Sequence, residues 1–327
     1  MGVRMSRTNR IERVAVIGSG LMGHGIAQVF AQNGYWVRMH DTSRTLLENA
    51  EKRIRLNLTA FAERGFEDRG RIDEILSRIT STVDLAESVG DADFVTESVP
   101  ENLRLKQEIF KAIDSLTPRG AILASNTSML MISDIGREVK EKERLVITHW
   151  FNPPYLMPVV EVVKGAATSQ HTVERTVNLL EKMGKVPVRV LKEVPGHLLN
   201  RIQFALLRET LGLLQDGVAM PEEIDKAVSG SLGLRLATIG PLKGIDLAGI
   251  DLFWFGMRDI YRYLDNSPEP QQIIQEKVKA GHVGRKSGKG FFEYRSGGLV
   301  DAEERDRDDR IMELLKILYP KKGSDHV

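Results

Sequence analysis

Val14-Ala-Val-Ile-Gly-Ser-Gly-Leu-Met-Gly23, running on to Ile26, Ala27, Val29 and Phe30, is the stretch on which the fold turns. Four apolar residues read as a short strand, three glycines as a turn, and the apolar positions after them as a helix. Gly18 suits the tight turn, Gly20 the close approach of a pyrophosphate, and Gly23 the packing of helix on strand. With Leu21 and Met22 between them, these residues are candidates for holding a dinucleotide, whose phosphates would meet the free amides of a helix start. A lone match of this kind is weak, so its surroundings decide. Tyr35 to His40 reads as a second strand ending at Asp41, roughly 20 residues past the glycines, where an acid accepts hydrogen bonds from the adenosine ribose. That acid also repels a 2′-phosphate, which favours NAD over NADP. Arg44 reads as a solvated first-turn residue.

Working outward, the spacing predicts a helix over Ser43 to Arg64 and a charged helical arm over 65–79. A strand follows at Phe94 to Val99, a helix at Asn102 to Leu116, a strand at Ala121 to Ala124, a helix at Ser169 to Met183 and a strand at Val186 to Val190. Strands alternating with helices from 14 to 190 give an α/β architecture, a doubly wound and mainly parallel sheet. At Pro195 the pattern changes to helices throughout. The expected organisation is a dinucleotide-binding domain over 1–194, a helical domain over 195–300 and a charged helical tail over 301–327. Large apolar faces such as Leu252 to Phe255 suit burial against a second subunit, so a homodimer is expected.

The chemistry points to Thr148-His-Trp-Phe-Asn-Pro-Pro-Tyr-Leu-Met-Pro-Val-Val-Glu-Val-Val163. Arg144 to Thr148 reads as a strand ending at His149, and Val159 to Val163 as a second strand buried on both faces. Glu161 is the anomaly in that run: an unpaired buried carboxylate costs several kcal/mol, so it needs a partner. His149, returned past it by a turn with three prolines, is the nearest. A carboxylate on one imidazole nitrogen makes an acid–base dyad; a strand-end histidine and an edge glutamate are the structural alternative. Glu97 and Glu101 fall where strand ends meet a ligand crevice. Ser125-Asn-Thr-Ser128 either caps a helix or presents polar groups to a ligand. Asn200, among apolar helical positions, needs a buried partner or a ligand. Val283 to Gly290 is a basic glycine-rich loop, either a plain connection or a phosphate contact through Arg285, Lys286 and Lys289.

Bulk properties narrow the class. The 327 residues, 42% of them hydrophobic, suffice for a large core and two domains. Lys plus Arg number 46 against 45 Asp plus Glu, which argues against a nucleic-acid binder. No apolar run approaches the ~20 residues that span a bilayer. The first ten residues lack the apolar core of a signal peptide, and a cytoplasmic protein is expected. With no cysteine, disulfides, thiolate metal sites and cysteine nucleophiles are excluded.

Together these segments resemble the 3-hydroxyacyl-CoA dehydrogenase family from Val14 to Tyr294. The motifs are Gly18 to Gly23, Glu101-Asn-Leu-Arg-Leu-Lys106, Ser125 to Ser128, His149-Trp-Phe-Asn-Pro-Pro154 with Glu161, Val194-Pro-Gly-His-Leu-Leu-Asn200, and Gly284-Arg-Lys-Ser-Gly-Lys-Gly-Phe291. The resemblance implies a Rossmann-type domain followed by a helical, dimerising domain, NAD as cofactor, and oxidation of a short-chain 3-hydroxyacyl-CoA in fatty acid metabolism. It makes His149 the base, Glu161 its partner, and Ser128 and Asn200 the contacts to substrate near the reacting carbon. Residues Asp41, Glu101, Lys106 and Lys286 match positions that contact the dinucleotide. Two segments depart from the acyl-CoA pattern. Leu234 to Lys243 stands where those enzymes carry a Gly-Pro-Phe-Glu-like segment, and Asn152 to Tyr155 is similar to members that oxidise L-gulonate or a pyridine carboxylate alcohol. Arg235 would then hold a free carboxylate or brace the helical domain. A member kept as a lens crystallin would show a damaged site, whereas Ser128, His149, Glu161 and Asn200 are all intact.

Overall fold

The computed structural model describes residues 10–294 and 302–319. The N-terminal segment, Asp301 and the end of the expected charged tail lie outside the described residues.

Eight strands form one sheet: β1 (Arg13–Ile17), β2 (Trp36–His40), β3 (Ile79–Thr82), β4 (Phe94–Glu97), β5 (Ile122–Ser125), β6 (Leu145–Trp150), β7 (Val159–Val163) and β8 (Val186–Val190). Their order is β3-β2-β1-β4-β5-β6-β7-β8, with every pair parallel except β6 and β7. The order reverses between β1 and β4, which opens a crevice at their carboxyl ends.

Both faces are buried, and the two-residue strand period sorts the core. Val14, Val16, Phe94, Val146, Trp150, Val160 and Val162 pack on one face with α1 (Gly23–Gln32), α2 (Arg44–Glu63) and, after α3 to α6, α7 (Gln170–Lys182). Ala15, Ile17, Val95, Leu123, Leu145, Ile147 and Val163 pack on the other. The helices between are α3 (Ile72–Ser77), α4 (Leu85–Val89), α5 (Leu103–Leu116) and α6 (Ile132–Ile135). Phe110 and Ile113 of α5 and Ile132 and Ile135 of α6 join this second cluster. Helix α5 begins as its sequence dictates, with the Asn102 side chain accepting the Leu105 amide at 3.0 Å.

The helical arm expected over 65–79 is corrected. Its helix stops at Ser77, and Ile79-Thr-Ser-Thr82 pairs with β2 as an edge strand. A four-residue edge strand with one large apolar residue gives too little alternation to read. The helices expected from Pro195 onward begin at Leu199, and His197 before it has φ 53°.

Chain contacts divide the molecule into one unit ending at Asn200 and another starting at Arg201. The second unit is helical: α8 (Leu199–Gln215), α9 (Pro221–Ala227), a π-helical stretch over Val228–Gly233, α10 (Leu234–Thr238), α11 (Pro241–Ala248), α12 (Ile250–Ile260), α13 (Gln272–Lys279) and α14 (Ala302–Leu318). Among the described residues, α8 to α13 contain no buried residue, and Leu242, Leu247 and Trp254 are 77%, 72% and 62% exposed. No helix of the described residues is long and apolar enough to cross a membrane.

Candidate active site

β6 and β7 run antiparallel in a register that sets His149 directly opposite Glu161. Both side chains lie on the face of Leu145, Ile147 and Val163, and they are 3% and 1% exposed. His149 Nδ1 stands 2.8 Å from Glu161 Oε2, and the other oxygen, Oε1, accepts the Leu199 amide at 2.7 Å. The carboxylate only accepts, so Nδ1 carries the proton and Nε2 presents a lone pair. Burial pulls the Glu161 carboxyl upward, but the His149 ring and the Leu199 amide outweigh it and leave the pKa below the ordinary value. The Phe151 ring meets the imidazole edge-on at 4.5 Å.

The loop joining the two strands is held from below. Lys185 Nζ donates to the carbonyls of Pro154 at 2.7 Å and Met157 at 2.9 Å, and lies 5.4 Å from the centre of the Trp150 ring. Burial lowers its pKa to about 7. On the loop's other side a Cβ on Gly25 of α1 would come within 2.6 Å of Pro154 Cγ, so glycine there lets the loop seat on the helix. The Asn152–Pro153 bond within it is cis.

At the carboxyl ends of β4 and β5 the polar side chains form a continuous chain. Glu97 and Ser125 are opposite each other in the sheet, and Ser125 Oγ donates to Glu97 Oε2 at 2.6 Å. Glu97 Oε1 accepts Lys106 Nζ at 2.6 Å, and that ammonium lies 3.4 Å from Glu101 Oε2. Glu101 Oε1 in turn accepts the Thr127 hydroxyl at 2.5 Å and the amides of Ser128 and Met129 at 3.1 and 2.9 Å. Burial raises the Glu101 carboxyl, but the Thr127 hydroxyl and the Lys106 charge bring it below its ordinary value. The Ser125–Ser128 turn is thus fixed from beneath by an acid, and Asn200 Nδ2 donates to the Ser128 carbonyl at 2.9 Å. Lys106 has no exposed surface. A direct contact with a dinucleotide needs surface that this conformation does not offer; the side chain braces Glu101 instead. Sequence reasoning read Glu97 as a crevice residue and missed this bracing, which comes from the start of α5 folding over the end of β4.

The glycine turn fits a dinucleotide. Gly18 has φ 92°, and a Cβ there would strike the Ser98 carbonyl at 2.8 Å; one on Gly23 would lie 1.8 Å from the Gly18 oxygen. Gly20 differs, because nothing lies within 4 Å of its Cβ position. The open side at Gly20 is the room a pyrophosphate needs, beside helix-start amides without helical partners. Leu21 is 62% exposed and Met22 half-buried. Asp41 Oδ2 accepts the amide and hydroxyl of Ser19, both at 2.8 Å, and Oδ1 accepts the Thr42 amide at 2.8 Å. The Thr42 hydroxyl also lies 3.5 Å from Oδ1, and of the about four acceptor sites of a carboxylate this long contact is the one a ribose hydroxyl would replace. Ser98 Oγ, beside this turn, is buried without a partner in the protein. His24, which sequence reading passed over, fastens the turn through Nδ1 to the Gly20 carbonyl at 2.7 Å.

Two candidates belong to the second unit. Arg235 of α10 is exposed, its guanidinium 3.2 Å from Ser231 Oγ. Lys286 is exposed on a turn that is ordered rather than a loose connection: Ser287 Oγ accepts the Val283 amide and reaches the carbonyls of Gly284 and Lys289, each at 2.9 Å.

Comparison with known proteins agrees with this architecture. Residues 13–194 match the 3-hydroxyacyl-CoA dehydrogenase NAD-binding domain, and residues 196–294 match the C-terminal domain of the same family. The chain is 34% identical over 308 residues to a 5-formyl-3-hydroxy-2-methylpyridine 4-carboxylate 5-dehydrogenase of Mesorhizobium japonicum, covering 94% of this chain and 98% of that one. It is 37% identical over 285 residues to a probable 3-hydroxybutyryl-CoA dehydrogenase of Bacillus subtilis, covering 87% and 98%. A crystal structure of a 5-formyl-3-hydroxy-2-methylpyridine 4-carboxylic acid 5-dehydrogenase, an NAD+-dependent dismutase, aligns with a TM-score of 0.86 at 32% identity, covering 94% of this chain and 99% of that one. The doubly wound sheet with its glycine turn is therefore an NAD-binding domain, NAD is the cofactor, and the chain belongs to the 3-hydroxyacyl-CoA dehydrogenase family.

Proposed function

We propose that the chain oxidises a short-chain 3-hydroxyacyl-CoA to the 3-ketoacyl-CoA, with His149 and Glu161 as its acid–base dyad. The observation that carries the chemistry is the buried 2.8 Å contact of His149 Nδ1 with Glu161, which leaves Nε2 as a base. NAD, when bound, supplies the hydride acceptor. His149 Nε2 takes the hydroxyl proton, and Glu161 stabilises the imidazolium that results. Ser128 and Asn200 hold the substrate oxygen as it gains carbonyl character; one N–H of the Asn200 amide is spent on the Ser128 carbonyl, which fixes its plane. Gly18 to Gly23 and Asp41 hold the dinucleotide, with Glu101 and Lys106 supporting the crevice and Lys286 a further contact. We place the domain division at Pro195, between the two matched family domains and a few residues before the contact boundary after Asn200, and the exposed apolar residues of the helical part support a homodimer.

A second reading is favoured by the likeness to the pyridine carboxylate dehydrogenase: the substrate is a hydroxy acid without CoA, held by Arg235. The deciding experiment is NADH oxidation with acetoacetyl-CoA beside free acetoacetate, together with NAD reduction by L-gulonate and by a hydroxymethyl pyridine carboxylate. Turnover confined to the thioester supports the first reading. Turnover only with the free acids, lost in R235A, overturns it in favour of the second.

A further inference from the structure

His197 is buried with 0% exposure and takes a left-handed backbone, φ 53°, directly after Gly196 at φ 76°. Positive φ is uncommon in a residue other than glycine and persists where the surroundings over-determine it. Here they do. Over five residues this segment ties itself to three consecutive carbonyls of the Ser128 turn: the Gly196 amide to Met129 at 3.2 Å, His197 Nε2 to Thr127 at 3.1 Å, and Asn200 Nδ2 to Ser128 at 2.9 Å. The fourth tie is to the dyad, from the Leu199 amide to Glu161 at 2.7 Å. The His197 ring also stands 5.5 Å from the His149 ring, the planes at 63°.

We propose that His197 is a positioning residue for the oxidation: as a neutral imidazole protonated on Nε2, it holds the Thr127 carbonyl and so fixes the Ser128 turn and Asn200 at one spacing from His149. The proposal rests on the reading of His149 as the base. The tautomer follows from the partner, because a carbonyl can only accept. Nδ1 is then a buried lone pair, and it has no partner in the protein. Burial keeps the ring's pKa below the ordinary value, and a charge on His149 acts the same way; the Thr127 carbonyl and the carboxylates of Glu161 and Glu101 only partly oppose this. His197 therefore stays out of the proton transfer and acts through the turn it holds.

Nitrogen-15 histidine spectra of the full-length protein without substrate test the tautomer, with H197Q used to assign the signal. A neutral ring protonated on Nε2 from pH 6 to 8 is expected; a ring charged at pH 7, or protonated on Nδ1, overturns the proposal. Kinetics test the role. H197F keeps a ring and loses the donor, so kcat should fall at least tenfold while the KM for NAD stays within twofold. H197Q places an amide N–H where Nε2 was and should recover most of that loss. Wild-type kcat in H197F, or no recovery in H197Q that still folds and binds NADH, overturns the proposal. Should wild type turn over none of the substrates named above, the functional reading fails, and the spectra still decide the state of His197.

Discussion

His149→Ala removes the proposed base, and kcat should fall by about 10³-fold, within the range general bases contribute. NADH binding, followed by fluorescence, should stay near wild type because the glycine turn is untouched; near-normal turnover would remove His149 from the mechanism. Glu161→Gln keeps the shape but loses the charge that stabilises the imidazolium, so its cost should be smaller, about 10²-fold. This pair was legible in the sequence because an acid inside Val159 to Val163 stands out against its neighbours. Glu97 stands in a similar run, yet its partner Lys106 lies on a helix, and no periodicity shows that a helix start will cover that strand end. His197 was less legible still: nothing in Val194 to Asn200 announces a left-handed residue, since the conformation comes from ties to a turn some 70 positions earlier.

The loop between β6 and β7 is the element with a built-in pH dependence. Lys185 has a folded pKa of about 7 against an ordinary value of 10.5. Between these values the unfolded chain holds a proton that the folded chain lacks, so stability rises with pH across that window; below pH 7 both are protonated and the contribution is flat. The melting temperature of wild type relative to K185M should therefore climb from pH 7 to 10, by a few degrees. A difference independent of pH would mean that the ammonium persists on the two carbonyls throughout. At the same scale, the long periodic elements of the sheet domain were readable and the short edge strand β3 was not, because its neighbours rather than its own residues make it a strand.

For the whole molecule, two ledgers of apolar surface differ. The unit ending at Asn200 buries its strands on both faces, whereas α8 to α13 leave Leu242, Leu247, Trp254 and others in solvent. Sedimentation at micromolar concentration should give about twice 36.7 kDa, and W254E should shift the species toward the single chain; a monomeric wild type would refute the dimer. The change from alternating elements to helices was legible, and so was the apolar stretch Leu252 to Phe255, which is exposed; how far the exposed apolar surface extends was not, since exposed and buried apolar faces look alike in a sequence. One more consequence lies in the single antiparallel pair of an otherwise parallel sheet. Parallel neighbours need a crossover of about a dozen residues or more, and such connections can lengthen during evolution without disturbing the strands they join. His149 and Glu161 are joined by a short local return instead. Insertions in the crossovers leave this pair where it is, while one residue gained or lost turns His149, if inside β6, or Glu161, if inside β7, to the opposite face. The His149–Glu161 pair is thus indifferent to the growth of the protein around it and intolerant of a single slip within it.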